Sequence, residues 1–166
     1  GCGISIVDDE PKDSTSGGEG AIVLNNIVAN VKGVGIRVLD ATRVQVLNNT
    51  VYKILPELAC DAACMEHNMG IEVHNWQAPV ENLVIKNNIV QSVYIGIGRY
   101  IGSHDEFPVS IDSDYNLVYD TIFPFRGSIA RNQNDWVMDP KLVDPQNRNF
   151  ALQASSPGRD SGTNLG

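Results

Sequence analysis

Arg37, Glu72, His74, Arg99 and Tyr100 are the side chains best suited to hold an anion or move a proton, and Asp40, Asn75 and Trp76 lie close to them in sequence. An arginine fork pairs bidentately with a carboxylate, neutralises it and so acidifies the C–H beside it. A histidine or tyrosine within reach then removes that proton or protonates a leaving oxygen. The candidate catalytic residues are therefore His74, Arg99, Tyr100 and Glu72, and the candidate substrate-binding residues are Arg37, Asp40, Asn75 and Trp76. Glu72 has a plainer role open to it, a cross-strand ion pair with Arg37 worth under about 1 kcal/mol if exposed. His74 likewise reads as an ordinary exposed histidine. Hydrolysis fits less well, because paired carboxylates must lie about 5–5.5 Å or 6.5–9.5 Å apart. Glu72 and Asp40 are one rung apart but offset by three residues, and so lie roughly 11 Å apart between backbones.

Two segments suggest metal or thiol chemistry. Cys60, Cys64 and His67 stand at i, i+4 and i+7, one face of a helix if Leu55–Met69 is helical. That face would offer three Zn²⁺ ligands, with His74 as a fourth. The same cysteines suit a disulfide, within the pair or to Cys2, or free thiols; three cysteines leave at least one unpaired within the chain. Asp8 to Gly20 is acidic and Gly-rich, a composition that suits either Ca²⁺ or a solvated loop. No phosphate loop, nucleophile elbow or metalloprotease motif is present.

The elements that must position these residues follow from an internal repeat. Asn25-Asn26-Ile27-Val28, Asn48-Asn49-Thr50-Val51, Asn87-Asn88-Ile89-Val90 and Tyr115-Asn116-Leu117-Val118 share one phrase at spacings of 23, 39 and 28 residues. Gly3-Ile4, Gly35-Ile36, Gly70-Ile71 and Gly96-Ile97 share another. Each unit reads as a strand, an Asn turn, a short strand, a loop and a Gly-Ile strand. Val and Ile total 33 against ten Leu, with sixteen Asn, a composition of strands and turns. Aligning the Gly-Ile strands places Ile4, Ile36, Ile71 and Ile97 inward. Ser5, Arg37, Glu72 and Gly98 then form an outward ladder, and Val7, Leu39, His74 and Tyr100 the next. Asp8, Asp40 and Asn75 follow at the strand ends. Arg99 falls in register with Val38 and Val73, so the strand bulges there or the arginine snorkels from the last rung.

Stacked strands about 4.8 Å apart pair every backbone group and align identical residues into ladders. Asn tolerates the left-handed turn and also hydrogen-bonds from rung to rung. On this pattern the chain resembles the right-handed parallel β-helices of the pectate-lyase-like kind over residues 3–119. The expected fold is all-β, a solenoid of about four coils with 120–166 as C-terminal cap and 54–69 as an insertion. A leucine-rich repeat needs far more Leu. The cap is read from Asp139-Pro140, Asn149-Phe150-Ala151-Leu152 and Ser155-Ser156-Pro157-Gly158, similar to the endings of secreted bacterial β-helix proteins. The resemblance implies catalysis on the outward face of the Gly-Ile sheet, with the insertion walling a sugar groove and Gly98 leaving room for the sugar. It implies a secreted or surface protein that binds a uronate-containing polysaccharide and acts as a lyase or epimerase; the other class is a non-catalytic surface or assembly module.

At 166 residues the chain fits one domain. A net charge of −8 disfavours nucleic acid and would repel a polyuronate at long range, so local Arg, Lys or a bound cation would be needed. No apolar run spans a bilayer, and the first residues do not read as a signal peptide. Because Gly1 to Val7 already reads as a Gly-Ile strand, the first edge is open. The expectation is that preceding coils, a partner or self-association covers it.

Overall fold

The computed structural model describes residues 1–7, 19–55, 67–100, 102, 107 and 109–165. Among these residues fourteen strands are formed: β1 (Cys2–Val7), β2 (Ile22–Leu24), β3 (Ile27–Ala29), β4 (Val34–Leu39), β5 (Gln45–Leu47), β6 (Thr50–Tyr52), β7 (Met69–His74), β8 (Val80–Lys86), β9 (Ile89–Arg99), β10 (Val109–Asp114), β11 (Leu117–Arg126), β12 (Trp136–Val137), β13 (Leu142–Asp144) and β14 (Asn149–Leu152). Among the described residues the only helix is a single 3-10 turn, Pro145–Asn147. Among these residues no helix is long and apolar enough to cross a membrane.

Two long sheets are wholly parallel. One runs β1-β4-β7-β9-β11-β12, with β3 and β6 joining through β9, and the other runs β10-β8-β5-β2. The Gly-Ile alignment is reproduced residue for residue. Ile4 pairs with Ile36, Ile36 with Ile71 and Ile71 with Ile97, while Ser5, Arg37, Glu72 and Gly98 form the adjacent ladder. Leu39 pairs with His74, and Val73 with both Val38 and Arg99. The bulge expected at Arg99 is not there. Gly98 and Arg99 pair with consecutive residues of β7, and Arg99 Nε donates to Asn75 Oδ1 at 2.9 Å.

The core lies between the sheets, filled by Ile36, Ile71 and Ile97 with Val38, Val46, Ile85 and Val90, all fully buried. Ile4, at the first rung, is only half-buried. Ile129 reaches back from beyond β11 into the same cluster. The added strand β12 extends the first sheet, and β13 and β14 pair antiparallel beside it. The segment after β13 lies against the flanks of earlier strands. Phe150 meets Tyr52 edge-on at 5.6 Å, Gln146 Nε2 donates to Tyr52 Oη, and Asn87 exchanges two hydrogen bonds with the backbone of Thr163.

The Asn turns divide labour between their two residues. The first residue takes the left-handed conformation, with φ of 57° at Asn25, 54° at Asn48, 59° at Asn87 and 61° at Tyr115. Asn accepts that region more readily than other non-glycine residues. The second residue builds a ladder. Asn26, Asn49, Asn88 and Asn116 each donate their backbone N–H and Nδ2 to the side-chain oxygen of the next rung. Each Nδ2 of Asn49, Asn88 and Asn116 also donates to a carbonyl of the preceding rung, at Val23, Val46 and Ile85. The ladder ends on Asp135, whose Oδ1 accepts from Asn116 and whose Oδ2 accepts from the Asn132 N–H.

Candidate functional site

The outer ladder of the Gly-Ile sheet gathers ionisable and aromatic side chains. Its alternation puts Arg37 and Glu72 on neighbouring rungs, and Arg37 Nε donates to Glu72 Oε1 at 2.6 Å. The cross-strand ion pair expected from sequence is present, but it is buried, so the small energy that would apply to an exposed pair does not. The Glu72 side chain is 0% exposed and that of Arg37 only 24%. Burial lowers the Arg37 pKa, but the charge and hydrogen bond of Glu72, with smaller help from Cys2 and Tyr100, outweigh it and hold the guanidinium above its ordinary value. Only Nε of Arg37 is engaged by the described contacts, so the outer nitrogens of the fork remain for another anion.

Two imidazoles flank the same carboxylate. His74 Nδ1 lies 3.7 Å from Glu72 Oε1, and His67 Nδ1 lies 3.9 Å from Oε2. Oε2 is buried and accepts no hydrogen bond from the described residues. Tyr100 binds the group together: its ring stacks on His67 at 4.3 Å and tilts against His74 at 4.6 Å. Trp76, 48% exposed, meets His74 edge-on at 6.0 Å and gives the group a solvent-facing aromatic plane. Tyr100 also packs on a second apolar cluster of Val34, Met69 and Ile95, apart from the main core. A proton-active pair of rings thus sits over a buried, arginine-held carboxylate.

Three expectations are revised by their surroundings. Asp40 is buried, and its carboxylate accepts the backbone N–H groups of Trp76, Gln77 and Ala78. It builds the turn that carries Trp76 and is not open to a substrate. Asn75 is fully buried and accepts from Arg99 Nε, so both hold the strand ends together. The space beside Gly98 is filled: an added Cβ would lie 2.9 Å from Ile95 Cγ2, 3.4 Å from Arg126 Cβ and 3.5 Å from Met69 Sδ. Among the described residues, the room expected directly beside Gly98 is taken by Ile95, Arg126 and Met69.

His67 and Arg126 are the residues that sequence reading did not place in the site. Arg126 pairs with Gly98 and continues the ladder of Arg37 and Glu72, with its guanidinium 5.0 Å from the centroid of Phe123. The alignment of Phe125 with Ile97 could have found it, but Phe123-Pro124-Phe125-Arg126 lacks the Gly-Ile phrase. Cys60, Cys64 and the Asp8–Gly18 part of the acidic loop lie outside the described residues. Among the described residues no group of three His, Cys, Asp or Glu is placed to hold a metal. Comparison of the chain with protein-family models, with curated proteins and with solved structures finds no match.

Proposed function

We propose that this chain is a right-handed parallel β-helix similar to the pectate-lyase-like kind, acting at a cell surface or after secretion on a uronate-containing polysaccharide. Substrate would lie across the outer face of the Gly-Ile sheet and be cleaved by β-elimination or epimerised at the carbon beside its carboxylate. The observation that carries the reading is the cluster of Arg37, Glu72, His74, Tyr100 and Trp76 on neighbouring parallel rungs. The outer nitrogens of Arg37 receive the substrate carboxylate and so acidify the adjacent C–H. His74 takes that proton, and Tyr100, in contact with it, protonates the leaving oxygen. Trp76 stacks on a sugar ring. Glu72 orients Arg37 and the imidazole without meeting substrate.

The test is turnover of polygalacturonate and alginate, followed by the unsaturated uronate that elimination creates or by NMR of the inverted sugar. His74→Ala and Tyr100→Phe should each lower the rate by about 10²–10⁴-fold with the fold intact. Absence of turnover by the wild-type chain on every uronan tried would sink the reading. A non-catalytic surface or assembly module is the second reading. It is favoured by Asp40, Asn75 and Arg99, three candidate residues bonded to the protein itself.

A further inference from the structure

Away from the Arg37 cluster, the described residues form a groove of about 560 Å³ where β9 and β11 bend into the Gly-Ile sheet. A volume of that order suits a small organic ligand. The bends are matched. Ser92 and Asp120 both take the left-handed conformation, with φ of 59° and 53°. Gln91 pairs with Tyr119 on one side of them and Val93 with Thr121 on the other, so Ser92 and Asp120 occupy equivalent positions on neighbouring strands.

The groove has an apolar wall and a polar one. Tyr119, Ile122 and Val137 line it while 36%, 66% and 43% exposed. Tyr94, half-buried, joins them and meets Phe123 edge-on at 5.6 Å. Single exposed apolar residues need no explanation, but several gathered in one concavity mark a place of contact. The polar wall is Asp120, which is exposed, and Ser92, whose Oγ donates to Asp120 Oδ2 at 2.8 Å. Asp120 Oδ1 accepts no hydrogen bond from the described residues, and none of their Lys, Arg or His side chains forms an ion pair with it. With its proton already given to Asp120, Ser92 Oγ keeps only lone pairs to offer. The polar wall therefore presents acceptors alone.

We propose that this groove binds a neutral pyranose residue of a glycan. The C–H face of the ring lies on Tyr119, and ring hydroxyls donate to Asp120 Oδ1 and Ser92 Oγ. A uronate is excluded, because its carboxylate would meet that of Asp120 with no cation between them. An alkylammonium ion matches the charge of Asp120, but an exposed ion pair contributes little in water and leaves the Ser92 acceptor unused. The groove is distinct from the Arg37 cluster: four residues of β9, about 13 Å of strand, separate Tyr94 from Gly98, which pairs with Glu72. Binding here does not depend on turnover there.

The probes are the methyl glycosides of galactose, glucose, mannose and xylose, each added at millimolar concentration to the ¹⁵N-labelled chain. At least one should shift the backbone amides of residues 92–94 and 119–122 in a saturable way. Tyr119→Ala should weaken that binding about threefold to tenfold, the worth of one aromatic contact. Asp120→Asn, which suits the left-handed turn and removes the charge, should weaken it about fivefold. Methyl galacturonide should bind the wild-type chain less tightly than methyl galactoside, and Asp120→Asn should narrow that gap, which a purely structural aspartate would not do. Saturable shifts without any uronan turnover leave this inference standing and count only against the proposed function. No shift with any of the four sugars overturns it, as do shifts that persist unweakened in both variants. Shifts produced by butylammonium and by none of the sugars overturn it too, and assign the groove to a cation.

Discussion

The asparagine corner and the Arg37–Glu72 cluster are both polar, both buried and both built by stacking residues on successive rungs, yet they are satisfied in opposite ways. In the corner like meets like. An amide both donates and accepts, so each asparagine completes its neighbours and the arrangement can be repeated at will. Asn49, Asn88 and Asn116 are buried at 0–1% exposure with every amide hydrogen given a partner. In the cluster unlike meets unlike. Glu72 needs Arg37 on one side, two imidazoles stand off at 3.7 and 3.9 Å, and Oε2 goes without a hydrogen bond from the described residues. A self-complementary ladder stabilises and has no spare chemistry. An incompletely satisfied buried charge is costly, and such arrangements gather where function requires them.

The comparison breaks most readily at Arg37. Arg37→Ala leaves a buried carboxylate without its cation and should cost about 3–5 kcal/mol in denaturant unfolding, whereas Glu72→Gln, which removes the charge itself, should cost much less. Equal losses would mean that the pair is not buried in solution. Next comes the ladder. Asn88→Ala strands the Asn49 N–H and Nδ2 and the Val46 carbonyl, each group unsatisfied at about 1–3 kcal/mol if water cannot enter. A midpoint unchanged from wild type would show the ladder to be decorative.

The smallest effect sharpens the end of the ladder. Burial raises the Asp135 pKa, and hydrogen bonds from Asn132 and Asn116 oppose it only in part. A raised carboxylate pKa means that the folded state holds its proton more tightly than the unfolded one. Stability from this group is then greatest in acid and declines as pH rises past the ordinary value of 3.8. Asp135→Asn removes that decline. The stability of the variant relative to wild type should therefore improve between acid and neutral pH, read from unfolding midpoints in a pH series. A difference that moves the other way would show that the hydrogen bonds outweigh burial.

The ladder was legible almost to its end. Asn134-Asp135-Trp136-Val137 echoes the Asn-Asn-x-Val phrase, nineteen residues beyond Asn116, but an aspartate in the amide position hid it. The cluster was legible only in part. The rungs of Arg37, Glu72 and His74 followed from spacing, while His67 entered the site from the far end of the 54–69 segment, where no repeat guides the eye. Asp40 and Asn75 were found at the right strand ends and given the wrong surroundings. Their bonds to the Trp76 turn and to Arg99 depend on where the chain goes after β7.

By itself the sequence determined register. Parallel strands place residues of equal phase side by side, so a recurring Gly-Ile or Asn phrase names its own partners before any contact is known. Burial and orientation were decided by the tertiary structure. Whether Glu72 meets water or Arg37, and whether the space at Gly98 holds a ligand or Ile95, depends on side chains brought in from distant rungs and from segments outside the repeat. Periodicity records which residues stack, and it carries no information about what covers the stack.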